Sequence, residues 1–194
     1  MQKLSAEGAR VLAVDVNGTT AAETASQCPS GSVRPFTADI TLESSWRSIL
    51  STTLEHFFNR VDVVVNCAGV VHVAAPSHEV PEEEFDKVFK VNVKPLYLST
   101  KVIVPWWKEK KQGGLFVNLS SISEPRPRPN LVWYAASKGA VTVVSSHDPW
   151  MLPLHCVGGL TSWDTKTTKG LAAEYAVDQI RYNCVRPAVG ETAM

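Results

Sequence analysis

The sequence predicts an α/β protein built on a doubly wound parallel sheet. Three observations carry that expectation. Short apolar runs of strand length alternate with longer segments whose apolar residues recur at helical spacing. The apolar runs are nearly continuous rather than alternating, as expected of parallel strands covered on both faces. Polar residues then collect where those runs end, which is where ligands bind in sheets of this kind.

Taken in order, 10–16 (RVLAVDV) is a first strand closing on Asp15, 19–27 a short helix, and 33–38 a second strand followed by Asp39. Over 41–59 the apolar residues Leu42, Trp46, Ile49, Leu50, Leu54, Phe57 and Phe58 keep helical spacing and predict an amphipathic helix. A third strand covers 61–66 (VDVVVN) and breaks at Ala68-Gly69. Pro81 followed by Glu82, Glu83 and Glu84 is a helix start, with proline in the first turn and acids at the positive end of the helix dipole. The segment 91–111 continues as one long helix, locally disturbed by Pro95 and Pro105 and stopped by Gly113-Gly114. A strand at 115–119, a helix beginning over 134–143 and a last strand at 179–185 complete the pattern. No repeat or low-complexity stretch interrupts it.

Length and charge set broad bounds. A chain of 194 residues is read as a single domain, 1–194, with enough material for a core. Nineteen basic and nineteen acidic residues leave no net charge, which argues against a nucleic-acid or anionic-membrane partner. No apolar run approaches the roughly 18 residues of a spanning helix, and the first eight residues lack an apolar signal core. Cys28, Cys67, Cys156 and Cys184 show no CxxC spacing, so a reduced, cytoplasmic setting is expected and no metal. His147 and His155 have no partner at ligand spacing and read as loop residues.

The chemistry concentrates around Tyr134-Ala-Ala-Ser-Lys138. Positions i and i+4 share one helix face, so the ammonium of Lys138 can lie beside the phenol of Tyr134. A phenol titrates near 10 on its own, and a neighbouring cation stabilises the phenolate. Such a tyrosine can give a proton to a carbonyl or take one from an alcohol. Ser121 ends the preceding strand and could hydrogen-bond the same substrate oxygen. A lone Tyr-x-x-x-Lys is more often solvated helix surface, and Asn92 alone more often a structural polar residue. Pro125-Arg126-Pro127-Arg128-Pro129 reads as a rigid loop at the substrate mouth rather than a polyproline ligand. Trp106-Trp107 and Trp150 with Trp163 read as packing rather than nucleotide stacking.

As a set and in this order, NCAG at Asn66–Gly69, Asn92 within VNV, Ser121, YAASK and RPAVGET at Arg186–Thr192 resemble the short-chain dehydrogenase/reductase family. The resemblance covers about Leu4 to Val143 and again Thr168 to Met194, and implies a Rossmann-like fold with an NAD(P)-dependent oxidoreductase activity. It implies Ser121, Tyr134, Lys138 and Asn92 as catalytic residues, Asn92 acting through a water on its helix backbone. It implies cofactor contacts from Asp15, Asp39, Asn66, Ala68, Gly69, Tyr134, Lys138, Pro187, Val189 and Thr192. Within that frame Asp15 would accept hydrogen bonds from the adenosine ribose. Its carboxylate repels a 2′-phosphate and no basic residue follows it, so NAD is favoured over NADP. The family is usually homo-oligomeric and acts on small alcohols and ketones.

Two departures qualify the resemblance. The family opens with a strand and a TGxxxGxG loop whose glycines bring a helix N-terminus to the pyrophosphate. Here Met1 already falls in the helix that should follow, and no such loop occurs. The absent strand would lie between the strand at 10–16 and the strand at 61–66, and the elements that carry the family's oligomer interface are mostly absent past Met194. The second departure is an insertion in the catalytic helix. The family's text runs to Val143 and resumes at Thr167, leaving 23 residues (144 to 166 inclusive) with two prolines and Gly158-Gly159. Proline costs about 3 kcal/mol inside a helix, so this segment cannot continue one. Our hypothesis is a translated intron, because Val144-Ser145 can be encoded as a splice donor, Leu160-Thr161 as a branch site and Lys166 as an acceptor. Genomic DNA with a donor other than GT at Val144 would sink it; a looped-out surface insertion is the rival.

Two functional classes follow. One is an oxidoreductase interconverting a secondary alcohol and a ketone. The other is a catalytically inactive fragment or mis-spliced product without cofactor binding, or a non-catalytic partner of an intact homologue; the missing glycine-rich loop favours impaired activity.

Overall fold

The computed structural model describes residues 1–145 and 170–187. Thirteen elements alternate as expected: α1 (Gln2–Ala6), β1 (Val11–Asp15), α2 (Gly18–Ser26), β2 (Val33–Thr37), α3 (Glu43–His56), β3 (Val63–Asn66), α4 (Glu82–Asn92), α5 (Lys94–Lys110), β4 (Gly114–Leu119), α6 (Val132–Ser145), α7 (Gly170–Tyr175), a 3-10 turn (Ala176–Asp178) and β5 (Ile180–Val185). All strand pairs are parallel. They fall into two ladders, β1-β2 and β3-β4-β5, where the sequence predicts a single sheet.

The described residues divide into two compact units. The first comprises 1–61 with 98–103, the second 62–97 with the described residues from 104 onward. In the first, Ala13 and Ala21 bring β1 and α2 together while Trp46 and Ile49 bury the inner face of α3. In the second, Trp107 and Phe116 are fully buried and Tyr182 nearly so. Phe116 stacks on Tyr182 at 4.5 Å and meets Trp107 edge-on at 5.0 Å, which couples α5, β4 and β5. Trp107 is thus packing, as the sequence implies; a Cβ on Gly114 would overlap its indole.

The clearest differences from expectation lie at three helix boundaries, the first two with a physical reason. The helix predicted over 41–59 spans Glu43–His56, because Phe58 and Asn59 take the left-handed conformation, both at φ 55°. Phe58 therefore leaves the buried stripe; it is 75% exposed and lies under the Arg10 guanidinium at 4.4 Å. The long helix over 91–111 breaks at Val93, which ends α4 and begins α5. Pro95, at the start of α5, has no N–H to continue the earlier helix. Pro105, by contrast, is carried inside α5 without ending it. Finally, α6 runs from Val132 to Ser145, two residues into the predicted insertion; the remainder of 144–166 lies outside the described residues, with Val189 and Thr192.

Candidate active site

Strand ends and one helix supply the site of the second unit. β3, β4 and β5 run in register so that Asn66, Asn118 and Cys184 lie level. Asn66 donates from Nδ2 to Asn118 Oδ1 at 2.7 Å, and Asn118 donates to Ser145 Oγ on α6 at 2.7 Å. One residue past β4, Ser120 Oγ donates to the Lys138 carbonyl at 2.8 Å, with Thr142 Oγ1 2.9 Å from the same hydroxyl. These bonds lay the polar face of α6 on the strand ends. They also account for the buried polar residues Asn118, Ser120, Thr142 and Ser145, which would be costly if unpaired.

Tyr134 and Lys138 stand on the first turns of that helix. Lys138 is 5% exposed, its Nζ donates to Leu119 O at 2.9 Å, and it lies 5.9 Å from the centre of the Tyr134 ring. Burial pushes its amine below the ordinary 10.5, with Cys67 and Cys184 pulling weakly the other way. Gly69, the last residue of NCAG, is adjacent: a Cβ there would come 3.1 Å from Lys138 Nζ and 3.2 Å from Asn92 Oδ1. The missing side chain is what lets the amine lie against the loop. Asn92 ends α4 and is fully committed. Its Oδ1 accepts from Val70 N at 2.8 Å, and its Nδ2 donates to Val70 O and to Ser137 Oγ, each at 2.9 Å.

Ser121 follows Ser120, and its Oγ accepts from Ser123 N at 3.1 Å, closing the turn that leaves β4. The loop beyond is fastened at three points: Ile122 N donates to Pro187 O at 3.1 Å, Arg186 pairs with Glu124 at 2.8 Å, and Ala75 N donates to Asn130 O at 3.2 Å. Pro187 is thereby set beside the Ser121 turn. Arg126 and Arg128 are exposed on this loop. Asn66, Ala68, Gly69, Asn92, Ser121, Tyr134, Lys138 and Pro187 thus all belong to one unit. Asp15 and Asp39 belong to the other, at the ends of β1 and β2. Asp15 accepts from Asn17 N and Asp39 from Thr41 N, both at 2.8 Å, and Asp15 O takes the Ala38 N–H. A groove of about 470 Å³ opens at the opposite ends of β3, β4 and β5, lined by Asp62, Gln112, Gln179 and Arg181 among others; it contains none of these residues.

The sequence assigns no role to Asn118 or Ser137, and marks Ser120 only as a polar strand-end residue beside Ser121. Asn118 carries a signal after the fact, a polar residue inside the apolar run LFVNL.

The family model described as short chain dehydrogenase matches residues 1–147. The chain belongs to the short-chain dehydrogenase family. Among curated relatives it is 31% identical to a 4-formylbenzenesulfonate dehydrogenase of Comamonas testosteroni, over all of this chain and 68% of that protein. It is also 31% identical to a 2-(R)-hydroxypropyl-CoM dehydrogenase of Xanthobacter autotrophicus, over 97% of this chain and 68% of that one. Among solved structures it resembles a 3-ketoacyl-(acyl-carrier-protein) reductase from Brucella melitensis complexed with NADH. The TM-score is 0.81 at 31% identity, over 98% of this chain and 69% of that one. An NAD+-bound xylitol dehydrogenase shares the fold, at TM-score 0.78 and 21% identity. The chain is therefore a member of an oxidoreductase family with a Rossmann-like α/β fold, and that family binds nicotinamide cofactors. Among its described residues no helix is long and apolar enough to cross a membrane.

The residues fit such a cofactor in part. Gly69 leaves open backbone beside Lys138, whose amine carries three N–H donors and commits one to Leu119. That suits the sugar next to a nicotinamide. The described residues include no glycine-rich turn for the pyrophosphate.

Proposed function

We propose that this short-chain dehydrogenase interconverts a secondary alcohol and a ketone, with NAD favoured over NADP. One observation carries the reading: Lys138, buried and held by Leu119 O, lies against Gly69 and within 5.9 Å of the Tyr134 ring. Tyr134 passes the proton to or from the substrate oxygen, Lys138 supports the phenolate and reaches the cofactor ribose, and Ser121 orients the oxygen. The bound nicotinamide supplies or takes the hydride. Asn66, Ala68 and Pro187 are the further cofactor residues of the second unit; Asp15 and Asp39 for the adenosine end, like Val189 and Thr192, are assigned from the sequence alone. A small-molecule substrate also agrees with the named substrates of the two dehydrogenase relatives.

A second reading has one observation in its favour. No TGxxxGxG stretch, the loop whose backbone amides grip a pyrophosphate in this family, stands among the 194 residues. The constellation would then be folded but idle. Calorimetric titration with NADH, followed by nicotinamide absorbance with a panel of secondary alcohols, separates the two. Micromolar binding with turnover, cut at least about a hundredfold by Tyr134→Phe, supports the enzyme. No heat and no turnover supports the idle fold.

A further inference from the structure

We propose that Ser137 is a positioning residue: its hydroxyl, held by Asn92, fixes the turn carrying Tyr134 and Lys138 against the loop that begins at Gly69. Ser137 has no exposed surface. Its Oγ donates to the Tyr134 carbonyl at 2.7 Å and accepts from Asn92 Nδ2 at 2.9 Å. That carbonyl is the one that takes the Lys138 N–H in an α-helix, so the hydroxyl bonds to the peptide unit linking the two reactive side chains. Asn92 in turn grips both backbone groups of Val70. A continuous chain of four hydrogen bonds therefore runs from Val70, next to Gly69, through the end of α4 to the turn that bears the chemistry.

Position is what such a chain controls. Lys138 Nζ has little latitude between Leu119 O and Gly69. A displacement of about 1 Å at reacting groups can cost on the order of a hundredfold in rate. Asn92 has no spare hydrogen for any other partner, so without Ser137 one of its buried N–H groups is left unpaired and the clamp loosens at its centre.

The role in turnover rests on the dehydrogenase reading, but the clamp can be tested apart from it. Ser137→Ala removes the hydroxyl. Val141→Ala, on the same helix at 1% exposure, is a destabilised control outside the clamp. The first readout is trace acetylation of Lys138 across pH, followed by mass spectrometry, which needs no activity. In Ser137→Ala the titration of Lys138 should move back up toward an ordinary lysine; in Val141→Ala it should stay. The second readout is turnover, where kcat should fall about tenfold or more in Ser137→Ala with KM within a factor of about two. If the two variants are alike in the Lys138 titration, the clamp is overturned. If wild type shows no turnover, the dehydrogenase reading fails and the titration alone decides the clamp.

Discussion

In the first unit the polar strand-end residues turn back on their own chain: Asp15 and Asp39 each take the amide two residues on, leaving Asp15 at the surface. In the second unit Asn66, Asn118 and Ser120 reach across to a neighbouring strand or to α6, and Asn118 keeps 1% of its surface. Both arrangements satisfy hydrogen bonds, yet they store different amounts of structure. A carboxylate that caps its own turn near the surface costs little to disturb, because water can replace the bond. An amide buried between two elements is costly to disturb and has no capacity left over. Polar residues at the same topological place thus close a local turn in one unit and cross-link buried elements in the other.

The sharpest way to break that comparison is to remove the buried amide. Asn118→Ala leaves Asn66 Nδ2 without that acceptor and Ser145 Oγ without that donor, and opens a cavity at a site 1% exposed. The expected loss is about 2–4 kcal/mol, read by urea denaturation. A loss below about 1 kcal/mol would mean that the polar ladder is tolerated rather than structural.

How much of this was legible beforehand follows from the range of each interaction. The strands and the acids at their ends are written in local runs, so β1, β2 and β4 and the places of Asp15 and Asp39 could be read from composition and order. Pro81 followed by acids likewise announced α4, although proline sits at its cap rather than inside its first turn. The break at Val93 was missed because Pro95 looked like a disturbance of one helix, when its missing N–H ends one helix and starts another. Phe58 was misread because helical spacing does not reveal a left-handed backbone. The clamp of Asn92 on Ser137 was beyond reach for another reason: it joins residues 45 apart, and nothing local in either stretch names the other. Tyr134 and Lys138 were visible as a motif, whereas the bonds that hold them were not.

The corresponding change in the first unit has a smaller effect. Asn17 caps α2, its Oδ1 accepting from Thr19 N at 3.1 Å and Thr20 N at 3.4 Å, and it is exposed. Asn17→Ala should cost about 1 kcal/mol in the same denaturation experiment, since water replaces part of what the cap provided. If Asn17→Ala proved as damaging as Asn118→Ala, the contrast between local and cross-linked strand ends would collapse.

The smallest effect is expected at a pair of short surface ion pairs. Glu43 meets Lys101 and Arg47, each at 2.6 Å. The Lys101 ammonium first, and then the Arg47 guanidinium, hold its carboxyl below the ordinary 4.5. A carboxylate with a depressed folded-state value adds stability above its unfolded value, and that contribution is lost as pH falls through the lowered one. The window for any effect is therefore acidic, beginning near 4.5 and extending below it. All three side chains reach water, so solvent and salt screen the attraction and side-chain entropy offsets much of the rest. Glu43→Gln should leave the neutral-pH melting temperature nearly unchanged and flatten only slightly its decline with acid, the difference vanishing in 1 M salt. A large neutral-pH loss in Glu43→Gln would show that short distance at the surface rivals burial in the core. The hydrogen bonds of α6 would then be no better guide to stability than the ion pairs of α3.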